Sequence, residues 1–193
     1  MLASRRSRGH DAIERAAAGL TAQVTALVER CGAHTVAAYV SMAAEPPTRL
    51  LIERLHAQGV TVLLPVIRAD DDLDWATFEP EQTRVGRLGV TEPTGPALGV
   101  AAIQSAQLVC CPGLGGSVDG RRLGRGGGSY DRALARTLPG SLRCLLLYDD
   151  EVLADVPTEP HDQPVDLLVT PTRTIPCSPA LFVRFPPAPG HPR

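Results

Sequence analysis

Between Asp11 and Cys31 the apolar residues Ile13, Ala16, Ala17, Leu20, Val24, Leu27 and Val28 return at steps of three and four, which lines one face of a helix. Gly32 ends it. Thr35 to Ser41 reads as a short buried strand. After Pro46 and Pro47 the spacing of Leu50, Leu51, Arg54 and Leu55 predicts a second helix, closed by Gly59. Val60 to Ile67 is an apolar run of strand length. Strands and helices alternating at this spacing predict an α/β domain with a largely parallel sheet.

The pattern continues past a polar turn at Asp70 to Asp72. Leu73 to Phe78 predicts a strand, Arg84 to Gly99 a loop punctuated by glycine and proline, and Leu98 to Ala106 a short helix. Gln107 to Cys111 predicts a strand that runs into the glycine-rich segment Pro112 to Gly128, and helical spacing resumes from Tyr130 to Leu138. Leu142 to Tyr148 and Asp166 to Thr170 add two strands. The last 18 residues hold six prolines and predict an irregular tail, so the expected organisation is one domain over 1–175 and a tail over 176–193. There is no internal repeat.

Composition narrows the function. A chain of 193 residues with 44% hydrophobic content and net charge −2 can bury a sizeable core, which argues against disorder. No apolar run reaches the ~18 residues of a membrane helix. Balanced charge leaves no basic footprint for nucleic acid, and a small-molecule partner is expected. All 19 basic residues are arginine, which excludes Schiff-base lysine chemistry and a Walker-type lysine. The five cysteines, Cys31, Cys110, Cys111, Cys144 and Cys177, show no metal spacing and read as reduced thiols. Arg5, Arg6 and Arg8 precede an amphipathic stretch instead of a continuous apolar core, so a signal peptide is not expected and the cytoplasm is.

The most informative segment is Gly120-Arg121-Arg122-Leu123-Gly124-Arg125-Gly126-Gly127-Gly128-Ser129-Tyr130-Asp131-Arg132. Consecutive glycines before a helix let backbone N–H groups converge on an anion. Arg122 and Arg125 can add bidentate contacts to phosphate oxygens. The residues alone leave two readings, a polyphosphate cradle and a solvated flexible loop. No Lys-Ser/Thr follows the glycines, so the loop is not a Walker A motif.

The string RRLGRGGGSYDRAL closely resembles the nucleotide-binding signature of 5-formyltetrahydrofolate cyclo-ligases, or methenyltetrahydrofolate synthetases, usually G-x-R-L-G-x-G-x-G-Y-Y-D. Tyr39 to Thr48 (YVSMAAEPPT) resembles the family's strand-to-helix segment with a substrate-contacting glutamate. Leu88 to Pro93 (LGVTEP) resembles its G-[IV]-x-E-P turn, and Pro160-His161-Asp162 with Val165-Asp166 its H-D-x-x-V-D segment. The matches keep the family's order over roughly residues 35 to 170.

The resemblance implies an open, mostly parallel, Rossmann-like sheet flanked by helices, of the sugar-phosphate isomerase and CoA-transferase kind. It implies conversion of 5-formyltetrahydrofolate to 5,10-methenyltetrahydrofolate with ATP and Mg²⁺; a monomer is expected, although nothing in the sequence gives the oligomeric state. On it, Arg122, Leu123, Gly124, Arg125, Gly126, Gly127, Gly128, Ser129 and Tyr130 surround the ATP phosphates, with Arg125 and Tyr130 as catalytic residues. Asp131 and Asp162 match Mg²⁺ positions; their bland alternatives are a helix-dipole charge and a turn cap. Val40, Glu45, Trp75, Arg125 and Ser129 would contact folate. A helix-entry carboxylate is the alternative for Glu45, and plain core is the alternative for Trp75. His161 is expected to hydrogen-bond near Asp162, and Glu92 is either structural or pocket-lining.

Three departures stand out. Ser129 replaces a family tyrosine, and Gly116-Ser117 stands where Phe-Asp is common. The family's N-terminal lysine, which grips ATP, has no counterpart. Either Arg5 or Arg8 takes over that phosphate contact, or the chain starts late or binds ligand without good turnover. A non-catalytic folate- or nucleotide-binding protein is therefore the alternative function, and an ATP-independent isomerase-like enzyme a third.

Overall fold

The computed structural model describes residues 2–42, 44–85 and 91–185, with the side chain of Phe182 excepted. Leu88 to Val90 of the LGVTEP turn and tail residues 186–193 lie outside the described residues.

A short helix α1 (Leu2–Arg6) leads into α2 (His10–Cys31), whose periodic Ala16, Leu20, Val24, Leu27 and Val28 are all buried. Gly32 adopts φ 62°, and the Ala33 N–H then reaches back to the Val28 carbonyl at 3.0 Å. This is the glycine stop anticipated from sequence. Strand β1 (Thr35–Ala37), helix α3 (Arg49–Ala57), and strands β2 (Thr61–Ile67) and β3 (Leu73–Thr77) follow. β1 is shorter than the expected 35–41. Beyond Ala38 the chain folds back on itself, with Thr48 Oγ1 donating to the Tyr39 carbonyl at 2.5 Å and accepting the Ser41 N–H at 2.9 Å.

The segment expected as loop from Arg84 contains the hairpin β4 (Thr83–Val85) and β5 (Thr91–Pro93). A 3-10 turn at Val100–Ser105 replaces the expected short helix, and β6 (Leu108–Cys111) enters the glycine segment. That segment carries β7 (Gly115–Ser117) and β8 (Arg122–Leu123), which pair antiparallel with each other. A Cβ at Gly116 would lie 2.6 Å from a Leu145 methyl, so any side chain there would force the Leu145 side chain to shift. Helix α4 (Ser129–Ala135), β9 (Leu142–Leu146), β10 (Val152–Leu153), β11 (Leu167–Val169), β12 (Thr174–Pro176) and α5 (Pro179–Arg184) complete the chain.

The expected irregular tail is therefore ordered through Phe185. Pro176 ends an edge strand and Pro179 opens a helix, two places where a missing N–H costs nothing. Phe185 is buried, with the Arg30 guanidinium 5.0 Å from its ring centre.

The main sheet runs β12-β11-β9-β6-β1-β2-β3. Its inner strands are parallel, and only the edges β3 and β12 are antiparallel. Leu20, Val24, Leu51 and Leu55 from α2 and α3 cover one face, while Ile103, Ala133 and Leu134 cover the other. From β1 the chain first moves to β2 on one side and later crosses to β6 on the other. The carboxyl ends of β1 and β6 therefore flank a topological switch point, where open α/β sheets hold their ligands.

Candidate functional site

Each strand at the switch point delivers one half of the site. β1 is followed by Tyr39, Val40 and the turn that ends at Glu45; β6 is followed by Pro112 and the glycine segment. The Glu45 side chain is 8% exposed, and its carboxylate accepts the Met42 N–H at 2.9 Å and lies 3.1 Å from Arg125 Nη2. Tyr148 Oη donates to the Glu45 carbonyl at 3.2 Å. The half-exposed Arg125 thus ties the glycine loop to the turn after β1. Gly126 and Gly128 on the loop have φ of 89° and 66°, which side chains resist.

Arg122 and Asp131 form a buried pair beneath the loop at 2.6 Å. The Gln163 N–H also donates to Asp131, at 3.1 Å, which brings the Asp162 segment alongside. Asp162 accepts the Glu159 N–H at 2.7 Å, and its field reaches Arg122 as that of Asp131 does. Among the described residues no group of three or more His, Cys, Asp or Glu side chains could hold a metal ion. Asp131 and Asp162 are carboxylates of the kind Mg²⁺ takes together with phosphates and water, and here Asp131 is engaged by Arg122 and the Gln163 N–H.

Arg5 closes the site from the N-terminal side. Its side chain is fully buried, with Nε 2.6 Å from Glu151 and Nη2 donating to Glu151 at 2.8 Å and to the Gly113 carbonyl at 2.7 Å. Arg8 pairs with Asp150 and lies over the Tyr148 ring, 4.0 Å from its centre. Ser129 Oγ donates to the Asp71 carbonyl at 2.5 Å. Arg136 grips Asp72 through two bonds of 2.9 and 2.6 Å, so α4 is anchored on the β2–β3 turn.

Of the residues singled out in the sequence, Glu45, Arg122, Arg125, Tyr130 and Asp131 converge around this switch point. Arg5 meets them at Gly113, whereas Arg8 faces Asp150 and Tyr148. Leu123 pairs with Gly115 in the small sheet, and Gly124 lies against the Arg122 guanidinium. Val40 lines a groove of about 280 Å³ with Ile52, Phe78 and Thr91. Trp75 is fully buried in the core layer of Ile103 and Leu134. His161 is exposed near Glu159 and Asp162, and buried Glu92 accepts the Ile67 N–H at 3.0 Å.

Sequence reasoning missed Tyr39, Tyr148 and Glu151. Tyr39 read only as part of the short buried strand from Thr35 to Ser41, and no motif singled out Tyr148 or Glu151. Among the described residues, Arg5 Nη1, Tyr39 Oη, Arg122 Nε and Tyr130 Oη are buried donors with no hydrogen-bond partner. Burial, with Glu45 and neighbouring groups adding to it, pushes the Tyr39 and Tyr130 hydroxyls well above the usual phenol range. Both stay protonated at neutral pH. The site thus presents cationic and neutral donors and asks for a ligand rich in acceptors.

An open, mostly parallel sheet with helices on both faces and a glycine loop at its switch point defines the class: a doubly wound α/β protein, whose ligands bind at that point. The profile of the 5-formyltetrahydrofolate cyclo-ligase family matches residues 1–171, and the chain belongs to that family. It is 36% identical over 146 residues to a 5-formyltetrahydrofolate cyclo-ligase of Mycolicibacterium smegmatis, covering 73% of this chain and 75% of that one. The Escherichia coli K12 protein of the same name is 32% identical over 149 residues, covering 73% and 80%. A 5,10-methenyltetrahydrofolate synthetase of Aquifex aeolicus shares the fold with TM-score 0.78 at 24% identity, over 91% of this chain and 88% of its own. No described helix is long and apolar enough to cross a membrane.

Proposed function

We propose that the chain converts 5-formyltetrahydrofolate to 5,10-methenyltetrahydrofolate with ATP and Mg²⁺, releasing ADP and phosphate. The observation that carries this is the Glu45–Arg125 contact, which joins a buried carboxylate in the turn after β1 to the glycine loop after β6.

The chemistry explains why both halves are needed. An amide oxygen is a poor leaving group, and its phosphate ester is a good one. Transfer of the γ-phosphoryl group to the formyl oxygen releases ADP. N10 then attacks the formyl carbon, the C–O bond breaks, phosphate departs with the electron pair, and the N10 proton passes to solvent. Glu45 accepts hydrogen bonds from the pterin amino and ring N–H groups and fixes the formyl group's position. Arg122, Arg125 and the loop N–H groups orient the phosphates, so positioning and charge stabilisation are the main contribution. Asp131 and Asp162 would hold Mg²⁺, which neutralises phosphate charge when bound. Five free cysteines and use of ATP fit a cytoplasmic setting.

The test is methenyl product absorbance after mixing the protein with 5-formyltetrahydrofolate, ATP and Mg²⁺, for wild type and Asp131→Ala. ATP-dependent product in wild type, with loss of Mg²⁺-dependent turnover in the variant, supports the reading. Saturable ligand binding without turnover at high protein concentration overturns it in favour of a binding protein.

A further inference from the structure

We infer that Tyr148 is a positioning residue: its hydroxyl, through the Glu45 carbonyl, holds the Glu45 carboxylate where the pterin ring meets it. This deepens the function proposed above and rests on it.

The turn after β1 has no donor of its own for that carbonyl. Glu45 is followed by Pro46 and Pro47, which lack an N–H, and the next donor, the Thr48 N–H, goes to Ser41 Oγ at 3.3 Å. Glu45 is buried, and a buried carbonyl left unpaired costs stability. Among the described residues the donor that reaches it is Tyr148 Oη, at 3.2 Å and 103 positions away in sequence. The Glu45 N–H donates to the Met42 carbonyl at 2.7 Å, and the Glu45 carboxylate accepts the Met42 N–H at 2.9 Å. Backbone and side chain of Glu45 thus close one tight turn, so a bond that fixes the carbonyl also fixes the carboxylate.

Tyr148 is itself held firmly. It follows β9, and β6 lies between β9 and β1 in the sheet, so its side chain bridges from one side of the glycine segment to the turn on the other. Its N–H donates to Glu151 Oε2 at 3.0 Å, and the Glu151 N–H returns to the Tyr148 carbonyl at 3.0 Å. Glu151 also takes Arg5, which donates to the Gly113 carbonyl at the start of the glycine segment. Both turns that build the site therefore hang on residues 148–151, one through the Tyr148 hydroxyl and the other through Glu151 and Arg5. Burial raises that hydroxyl above the ordinary phenol range against the pull of Arg8 and Arg5, so it remains a donor at neutral pH.

The test is a double-mutant cycle on Tyr148→Phe and Glu45→Gln, read by calorimetry of 5-formyltetrahydrofolate with Mg²⁺ and a non-hydrolysable ATP analogue present. Tyr148→Phe should weaken folate about 3- to 10-fold, leave the ATP analogue within about twofold and lower the melting temperature by about 2–4 °C. In the Glu45→Gln background the same change should weaken folate less than about twofold, because the carboxylate it positions is gone. Wild-type folate affinity in Tyr148→Phe or in Glu45→Gln would overturn the inference. So would equal weakening by Tyr148→Phe in both backgrounds, the mark of a hydroxyl that serves only the fold. If wild type binds folate yet forms no methenyl product, the proposed function fails, and the cycle still decides the role of Tyr148. If wild type binds no folate, both fall.

Discussion

Arg125 Nη2 lies 3.1 Å from Glu45 Oε1, so the glycine loop holds the same carboxylate that the substrate's pterin would use. One guanidinium cannot serve Glu45 and the ATP phosphates fully at once. Phosphates that draw Arg125 away free Glu45 for folate, and the two ligands should bind with positive coupling. In wild type a non-hydrolysable ATP analogue should tighten 5-formyltetrahydrofolate by about 5-fold or more by calorimetry, within the range of typical coupling energies. Arg125→Ala should abolish that coupling, and an unchanged coupling in the variant would contradict the competition.

The Arg5–Glu151 pair makes the first turn of the chain part of the site's foundation. Both side chains are buried, and removing one partner strands the other's charge. Glu151→Ala should cost ~3–5 kcal/mol in urea unfolding. A double change of Arg5→Met and Glu151→Leu should recover most of it, because no buried charge remains.

Arg8 is placed differently. Its guanidinium is taken up by Asp150 and the Tyr148 ring at the partly exposed rim. Arg8→Gln should leave the KM for ATP within about twofold, since exposed pairs contribute little. A tenfold rise would show that Arg8 supplies the phosphate contact of the family's missing lysine.

Asp72 links stability to pH. The Arg136 hydrogen bonds hold its carboxyl below the usual carboxylate range, against the opposing effect of burial. A folded pKa below the unfolded one contributes stability that is complete above about pH 4, the unfolded value. That stability is lost as pH falls through the lower folded value. Asp72→Asn should lower stability at pH 7 by ~1–3 kcal/mol and flatten the acid limb below about pH 4. Denaturant midpoints measured across this range check both effects.

Burial raises all five thiols above their ordinary value, Cys111 to about 11 and Cys177 to about 12. A thiolate-selective reagent at pH 8 should label the folded protein slowly and reach five thiols only after denaturation. Rapid labelling of one thiol in the native protein would reveal a reactive cysteine.

The parallel core was legible because its strands are continuous apolar runs, and α2 because its apolar positions keep helical spacing. The β7–β8 pair and the β4–β5 hairpin were hidden among glycines and polar residues, where pairing partners and not propensity decide the structure. Prolines in the tail suggested irregularity, although Pro176 and Pro179 occupy positions that tolerate them. The glycine loop, Glu45 and Asp131 stood out through motif and resemblance. Arg5 and Glu151 meet across 146 positions of sequence, and the unpartnered Tyr39 hydroxyl emerges only once the fold surrounds it.

The central claim is that folate activation and phosphoryl transfer occur in one site at the β1–β6 switch point. The most direct measurement follows ADP and methenyl product together in a single turnover, with enzyme in excess over 5-formyltetrahydrofolate. The account predicts one ADP per methenyl group, with both lost in Asp131→Ala. Product formed equally well without ATP, or ADP formed without product, would contradict it.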